Sequence, residues 1–131
     1  MYTKLTRAGI AVAAAVALGS TALAVPAEAK GHDDRAQVQG HCSKQGTWKL
    51  KAKHDDGRIE IEAEVDTNRV GQVWAVKFYD NGTKVWSGKR TTKAPSGSFS
   101  VSKKTPNRAG TDVVKFRATR GSNVCSGSVR V

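Results

Sequence analysis

The stretch TWKLKAKHDDGRIEIEAEV, residues 47–65, decides the fold. Trp48, Leu50 and Ala52 alternate with Lys49, Lys51 and Lys53, and Ile59, Ile61, Ala63 and Val65 alternate with Arg58, Glu60, Glu62 and Glu64. Successive side chains of an extended strand point to opposite sides, so each half presents one apolar and one charged face. With His54-Asp55-Asp56-Gly57 as the turn, Lys53 is expected opposite Arg58, Lys51 opposite Glu60 and Lys49 opposite Glu62. Leu50 then meets Ile61, and Trp48 meets Ala63. The three glutamates read as a solvated stripe facing lysines, which removes them as candidates for acid/base chemistry.

The same period-2 pattern continues outward from this hairpin, and no window carries the i, i+3, i+4 spacing of a helix. Gln72 to Lys89 reverses on Asn81-Gly82, a pair suited to a turn whose two central residues need positive φ. Asp80 opposite Thr83 sets Tyr79 against Lys84, Phe78 against Val85, Lys77 against Trp86 and Val76 against Ser87, with Trp74 in the core. Ser98 to Lys103 points Phe99 and Val101 inward. After the loop 106–110, Val113 to Thr119 points Val114, Phe116 and Ala118 inward. A turn at 120–123 then returns the chain, with Cys125 opposite Ala118 and Val129 opposite Val114. Short strands with turns every 8 to 12 residues predict an all-β, antiparallel sandwich of about seven strands, with a small closed barrel as the alternative.

Residues 1–29 have the composition of a cleavable signal peptide. Lys4 and Arg7 form the positive region, Ala8 to Val25 is uncharged, and Ala27-Glu28-Ala29 supplies the small-x-small cleavage pattern, so cleavage is expected between Ala29 and Lys30. The apolar run is Ala-rich and only about 18 residues long, which argues against a membrane anchor. Segment 30–41 is rich in charge, Gly and Gln and is expected to be a flexible mature N-terminus; the domain itself is expected over 42–131. Removing 29 of the 131 residues leaves 102, one domain with a modest core. Cys42 and Cys125 are the only two cysteines, and in an exported chain they are expected to form a disulfide that stabilises it by roughly 4 kcal/mol.

The run Ala109-Gly110-Thr111-Asp112-Val113-Val114-Lys115-Phe116-Arg117-Ala118-Thr119, followed by a tight turn and Cys125-Ser126-Gly127-Ser128-Val129, resembles the final hairpin of bacterial immunoglobulin-like and fibronectin-type-III-like domains. The whole mature chain is similar to small secreted actinobacterial proteins with one such domain and no assigned function. The resemblance implies an immunoglobulin-like sandwich and transfers no functional residue. Two departures from true immunoglobulin domains stand out: Cys42 precedes the first clear strand, and no Tyr occupies the corner before the penultimate strand.

His32, His41 and His54 have no partner at metal-ligand spacing, and no Gly-x-Ser-x-Gly, Walker loop or paired nucleophile is present, so neither an enzyme nor a cofactor nor a metal site is expected. The formal net charge of +11 instead points to anionic partners. Lys77, Tyr79, Lys84, Trp86, Lys89, Arg90 and Lys93 cluster in one hairpin and its exit, and they form the candidate binding face for an anionic cell-wall polymer or glycan; the alternative reading is that the cations keep an exported protein soluble and that Trp86 packs under a loop. Export removes genomic DNA from the expected partners. The competing function is an extracellular protein-partner domain, such as a protease inhibitor or adhesion accessory, with the exposed segment Thr91 to Gly97 as its contact loop.

Overall fold

The structure is a computed structural model that describes residues 34–131; the signal peptide expected over 1–29 and the cleavage expected between Ala29 and Lys30 lie outside the described residues. Eight strands follow one another: β1 (Arg35–His41), β2 (Thr47–Asp55), β3 (Arg58–Asp66), β4 (Val73–Asp80), β5 (Thr83–Thr91), β6 (Ser98–Pro106), β7 (Val113–Arg120) and β8 (Asn123–Arg130). They form two four-stranded antiparallel sheets of order β1-β2-β3-β6 and β5-β4-β7-β8. The chain changes sheet between β3 and β4, between β5 and β6 and between β6 and β7, as in Greek-key sandwiches. The fold is therefore the expected all-β antiparallel sandwich, with one strand more than the pattern predicted.

That extra strand corrects the expectation for segment 30–41. From Arg35 to His41 the chain is not a loose leader but edge strand β1, in register with β2 from Arg35↔Lys53 to His41↔Thr47. Its inward positions, Ala36, Val38 and Gly40, are too small to give an apolar signature. Their smallness has a structural reason at Gly40, where a Cβ would lie 2.8 Å from the Trp48 ring.

The hairpin of β2 and β3 keeps its expected faces but not its expected register. Asp56 and Gly57 adopt positive φ of 52° and 77°, so they alone form the turn, and Asp55 pairs with Arg58. Lys53, Lys51 and Lys49 thus oppose Glu60, Glu62 and Glu64, with Nζ–O distances of 3.5, 3.4 and 3.9 Å. A shift of two residues preserves which side each chain faces, so the apolar stripe of Leu50, Ile59, Ile61 and Val65 stays fully buried.

From the other sheet, Trp74, Val76, Phe78, Val114 and Phe116 meet this stripe and complete the core. Each such large apolar side chain contributes about 2 kcal/mol on leaving water. Trp48 plugs one open side: its ring packs edge-on against Phe116 at 5.4 Å, its indole N–H donates to the carbonyl of His41 at 3.1 Å, and it lies over Gly127, where a Cβ would be 2.2 Å from the ring. The Cys42–Cys125 disulfide closes the same side, joining the loop after β1 to the inner face of β8. Ser43, Lys44 and Gln45 of that loop also bond to Asn123 and Val124, so sheet edges from distant parts of the sequence are held together there.

Candidate functional site

The hairpin of β4 and β5 turns on Asn81 and Gly82 at φ of 51° and 86°, as expected, and begins in the expected register, Asp80↔Thr83 and Tyr79↔Lys84. Between Phe78 and Tyr79 the register then shifts by one residue at a β-bulge. Phe78 opposes Trp86 instead of Val85, and Lys77 opposes Ser87 instead of Trp86. A one-residue shift exchanges the faces of everything beyond it, so Trp86 turns inward.

This divides the seven predicted residues. Lys77, Tyr79, Lys84 and Lys89 share the outer face of the β5-β4-β7-β8 sheet. Trp86 is half-buried against Phe78, with ring centroids 5.5 Å apart, and Gly88 leaves room for its ring. Arg90 also faces inward, its guanidinium carbon 5.1 Å from the Trp86 centroid, and Lys103 of β6 supplies a second cation at 5.1 Å. These two cations cover the ring and close the gap between sheet edges β5 and β6. Lys93 lies off the sheet in the β5–β6 turn, where its backbone bridges to Ser98. The surrounding segment is short and tied down: Thr92 is buried and accepts and donates backbone hydrogen bonds with Gly71 and Gln72, and the Gly97 carbonyl accepts from Thr67.

Strand β7 brings further cations that the single-hairpin reading did not include. Lys77 pairs with Arg117, and Tyr79 with Lys115, so both new cations share the outer face. On their far side β8 presents Ser126 beside Arg117 and Ser128 beside Lys115. Two rows cross the sheet as a result: Lys84, Tyr79, Lys115 and Ser128 in one, Ser87, Lys77, Arg117 and Ser126 in the next. Their outward direction was readable, because Val114, Phe116 and Ala118 point inward. Their adjacency to β4 was not, because it depends on a long-range pairing.

The two outer faces differ electrostatically. On the β1-β2-β3-β6 sheet, Lys49, Lys51 and Lys53 are each matched to a glutamate, and Lys104 lies 2.9 Å from Asp55. That contact lowers the Asp55 pKa and raises that of Lys104, by the hydrogen bond first and the opposite charge second. The strands β4, β5, β7 and β8 contain a single carboxylate, Asp80, which is buried. Among the described residues, none of Lys77, Lys84, Lys89, Lys115 and Arg117 forms an ion pair. Their field is uncancelled on that face. A shallow depression of about 570 Å³ lies within it, lined by Tyr79, Lys115, Arg117, Ser126 and Ser128.

Beneath the rim of this face, Asp80 and Asp112 are both fully buried. Three of their four carboxyl oxygens lack a hydrogen-bond donor; the fourth accepts from the Asn81 side chain at 3.3 Å. Arg108 approaches Asp80 to 3.6 Å. Burial, and then the neighbouring carboxyl of Asp112, push the pKa of Asp80 upward, outweighing Arg108. The Asn81 side-chain oxygen accepts from the Val113 backbone, so this cluster ties the β4–β5 turn to the start of β7.

Compared with family models, curated proteins and solved structures, the chain matches none.

Proposed function

We propose that this chain is an exported, non-catalytic binding module whose β5-β4-β7-β8 outer face takes up an anionic polymer of the cell envelope. The observation that carries the reading is the charge asymmetry between the two sheets: Lys49, Lys51 and Lys53 matched to glutamates on one, and on the other Lys77, Lys84, Lys89, Lys115, Arg117 and Arg130 without an ion pair among the described residues. Unmatched cations side by side on neighbouring strands repel one another and cost stability, and an anionic polymer lying across the rows relieves that repulsion. The extracellular address rests on the leader-like residues 1–29 and on the Cys42–Cys125 disulfide, since such bonds persist in oxidising compartments. Among the described residues no helix is long and apolar enough to cross a membrane.

The test compares two variants with the same change in net charge. Neutralising Lys77 and Arg117 together to Gln is expected to lower the salt concentration that elutes the protein from heparin or isolated cell wall. Neutralising Lys49 and Lys51 to Gln is expected to leave elution near that of the parent. An equal shift for both pairs contradicts the reading, because retention would then follow bulk charge and not this face.

A further inference from the structure

We infer that the depression between β4, β7 and β8 is a saccharide subsite, so that the polymer bound is an anionic glycan and not a ring-free polyanion; this rests on the binding reading above. Among the described residues, Tyr79 is the only aromatic side chain on the cationic face. Tyr79 is half-buried and lines the depression, flanked in register by Lys84 on one side and Lys115 on the other. Beyond packing on the stems of the two flanking lysines, the Tyr79 ring gives the face an aromatic surface, and a sugar ring offers an apolar C–H face that packs on such a surface while its substituents point outward.

The remaining lining supplies what those substituents need. Ser126 and Ser128 place two hydroxyls on the side of the depression away from Tyr79, each next to a cation: Ser126 beside Arg117 and Ser128 beside Lys115. Hydroxyls both donate and accept, which suits sugar hydroxyls, and the guanidinium of Arg117 offers a planar pair of donors to a sulfate, phosphate or carboxylate group. The floor is formed by the backbone at Phe116 and Gly127, two paired positions that face the core. Gly127 is held to that identity from the other side of the sheet, where the Trp48 ring occupies the space a Cβ would need. Aromatic, cations and hydroxyls thus converge within one saccharide-sized hollow.

The experiment measures binding of heparin, as an anionic glycan, and of inorganic polyphosphate, as a ring-free polyanion, to the parent protein and to Tyr79→Ala and Tyr79→Phe. Loss of the ring is expected to weaken heparin binding about tenfold while changing polyphosphate binding less than about twofold. Tyr79→Phe keeps the ring and is expected to retain most of the heparin affinity, which separates ring packing from misfolding. Equal weakening of both polymers by Tyr79→Ala, or of neither, overturns the saccharide subsite while leaving the cationic face intact. Failure of the parent protein to bind either polymer removes the binding reading itself.

Discussion

Lys77 lies directly opposite Arg117 across the β4–β7 boundary, two cations side by side on an open sheet face. Like charges in that position destabilise a sheet by up to about 1 kcal/mol. Arg117→Glu turns the repulsion into attraction, so it is expected to raise the melting temperature while lowering the salt needed to elute the protein from an anionic matrix. Opposite movements in stability and retention, seen by thermal denaturation and chromatography on one preparation, mark a face kept repulsive for binding. A variant that lost both would show Arg117 to be structural.

Simple alternation places Trp86 among the cations, and the bulge beside Tyr79 removes it from that role. Its ring closes the β5–β6 side of the core under Arg90 and Lys103. Trp86→Ala is therefore expected to cost about 2 kcal/mol in chemical denaturation and to leave elution from heparin unchanged. Weakened binding at unchanged stability would return Trp86 to the binding face.

The Cys42–Cys125 bond encloses a sequence separation of 83 residues and joins the two sheets at one side. In the chain-entropy model its removal lowers stability by about 4 kcal/mol, a large part of what a domain this size possesses. Paired Cys42→Ser and Cys125→Ser substitution is expected to lower the urea midpoint strongly. An unchanged midpoint would show that the hydrogen bonds of Ser43 to Gln45 with β8 suffice without the bond.

The buried Asp80 sets a pH dependence whose sign follows from its raised pKa. The folded state holds the Asp80 proton more tightly than the unfolded chain, so this group's contribution is fully present below about pH 4 and is lost as pH rises through its native pKa. Asp80→Asn keeps the shape, cannot ionise and supplies a donor to Asp112. It is expected to be more stable than the parent at neutral pH by about 1 kcal/mol, with a flatter stability profile between pH 4 and neutrality. A variant less stable at every pH would show that the ion pair with Arg108 outweighs the burial of charge.

What could be read from the sequence was what neighbouring residues decide. The Asn81-Gly82 turn, the location but not the register of the reversal at 54–57, the inward stripes of β2, β3, β6 and β7, and the Ala118↔Cys125 and Val114↔Val129 pairings follow from alternation and turn chemistry. Strand β1 was hidden because Ala36, Val38 and Gly40 bury little apolar area, and Gly40 is selected by Trp48 and not by any local preference. The bulge was hidden because Val85 and Trp86 are adjacent apolar residues, either of which could face inward. For the same reason half the candidate site was named and half was missed. Lys77, Tyr79 and Lys84 lie in one hairpin, whereas Lys115, Arg117, Ser126 and Ser128 join them only through the β4–β7 pairing, which no local pattern encodes.

The most direct test of the central claim is amide chemical-shift mapping of the uniformly labelled domain titrated with a short heparin oligosaccharide. Salt-sensitive shifts are expected to concentrate on β4, β7 and β8 around Tyr79, Lys115, Arg117 and Ser126, with the β1-β2-β3-β6 face unmoved. Shifts centred on Lys49, Lys51 and Lys53, or spread evenly over every exposed lysine, would contradict it.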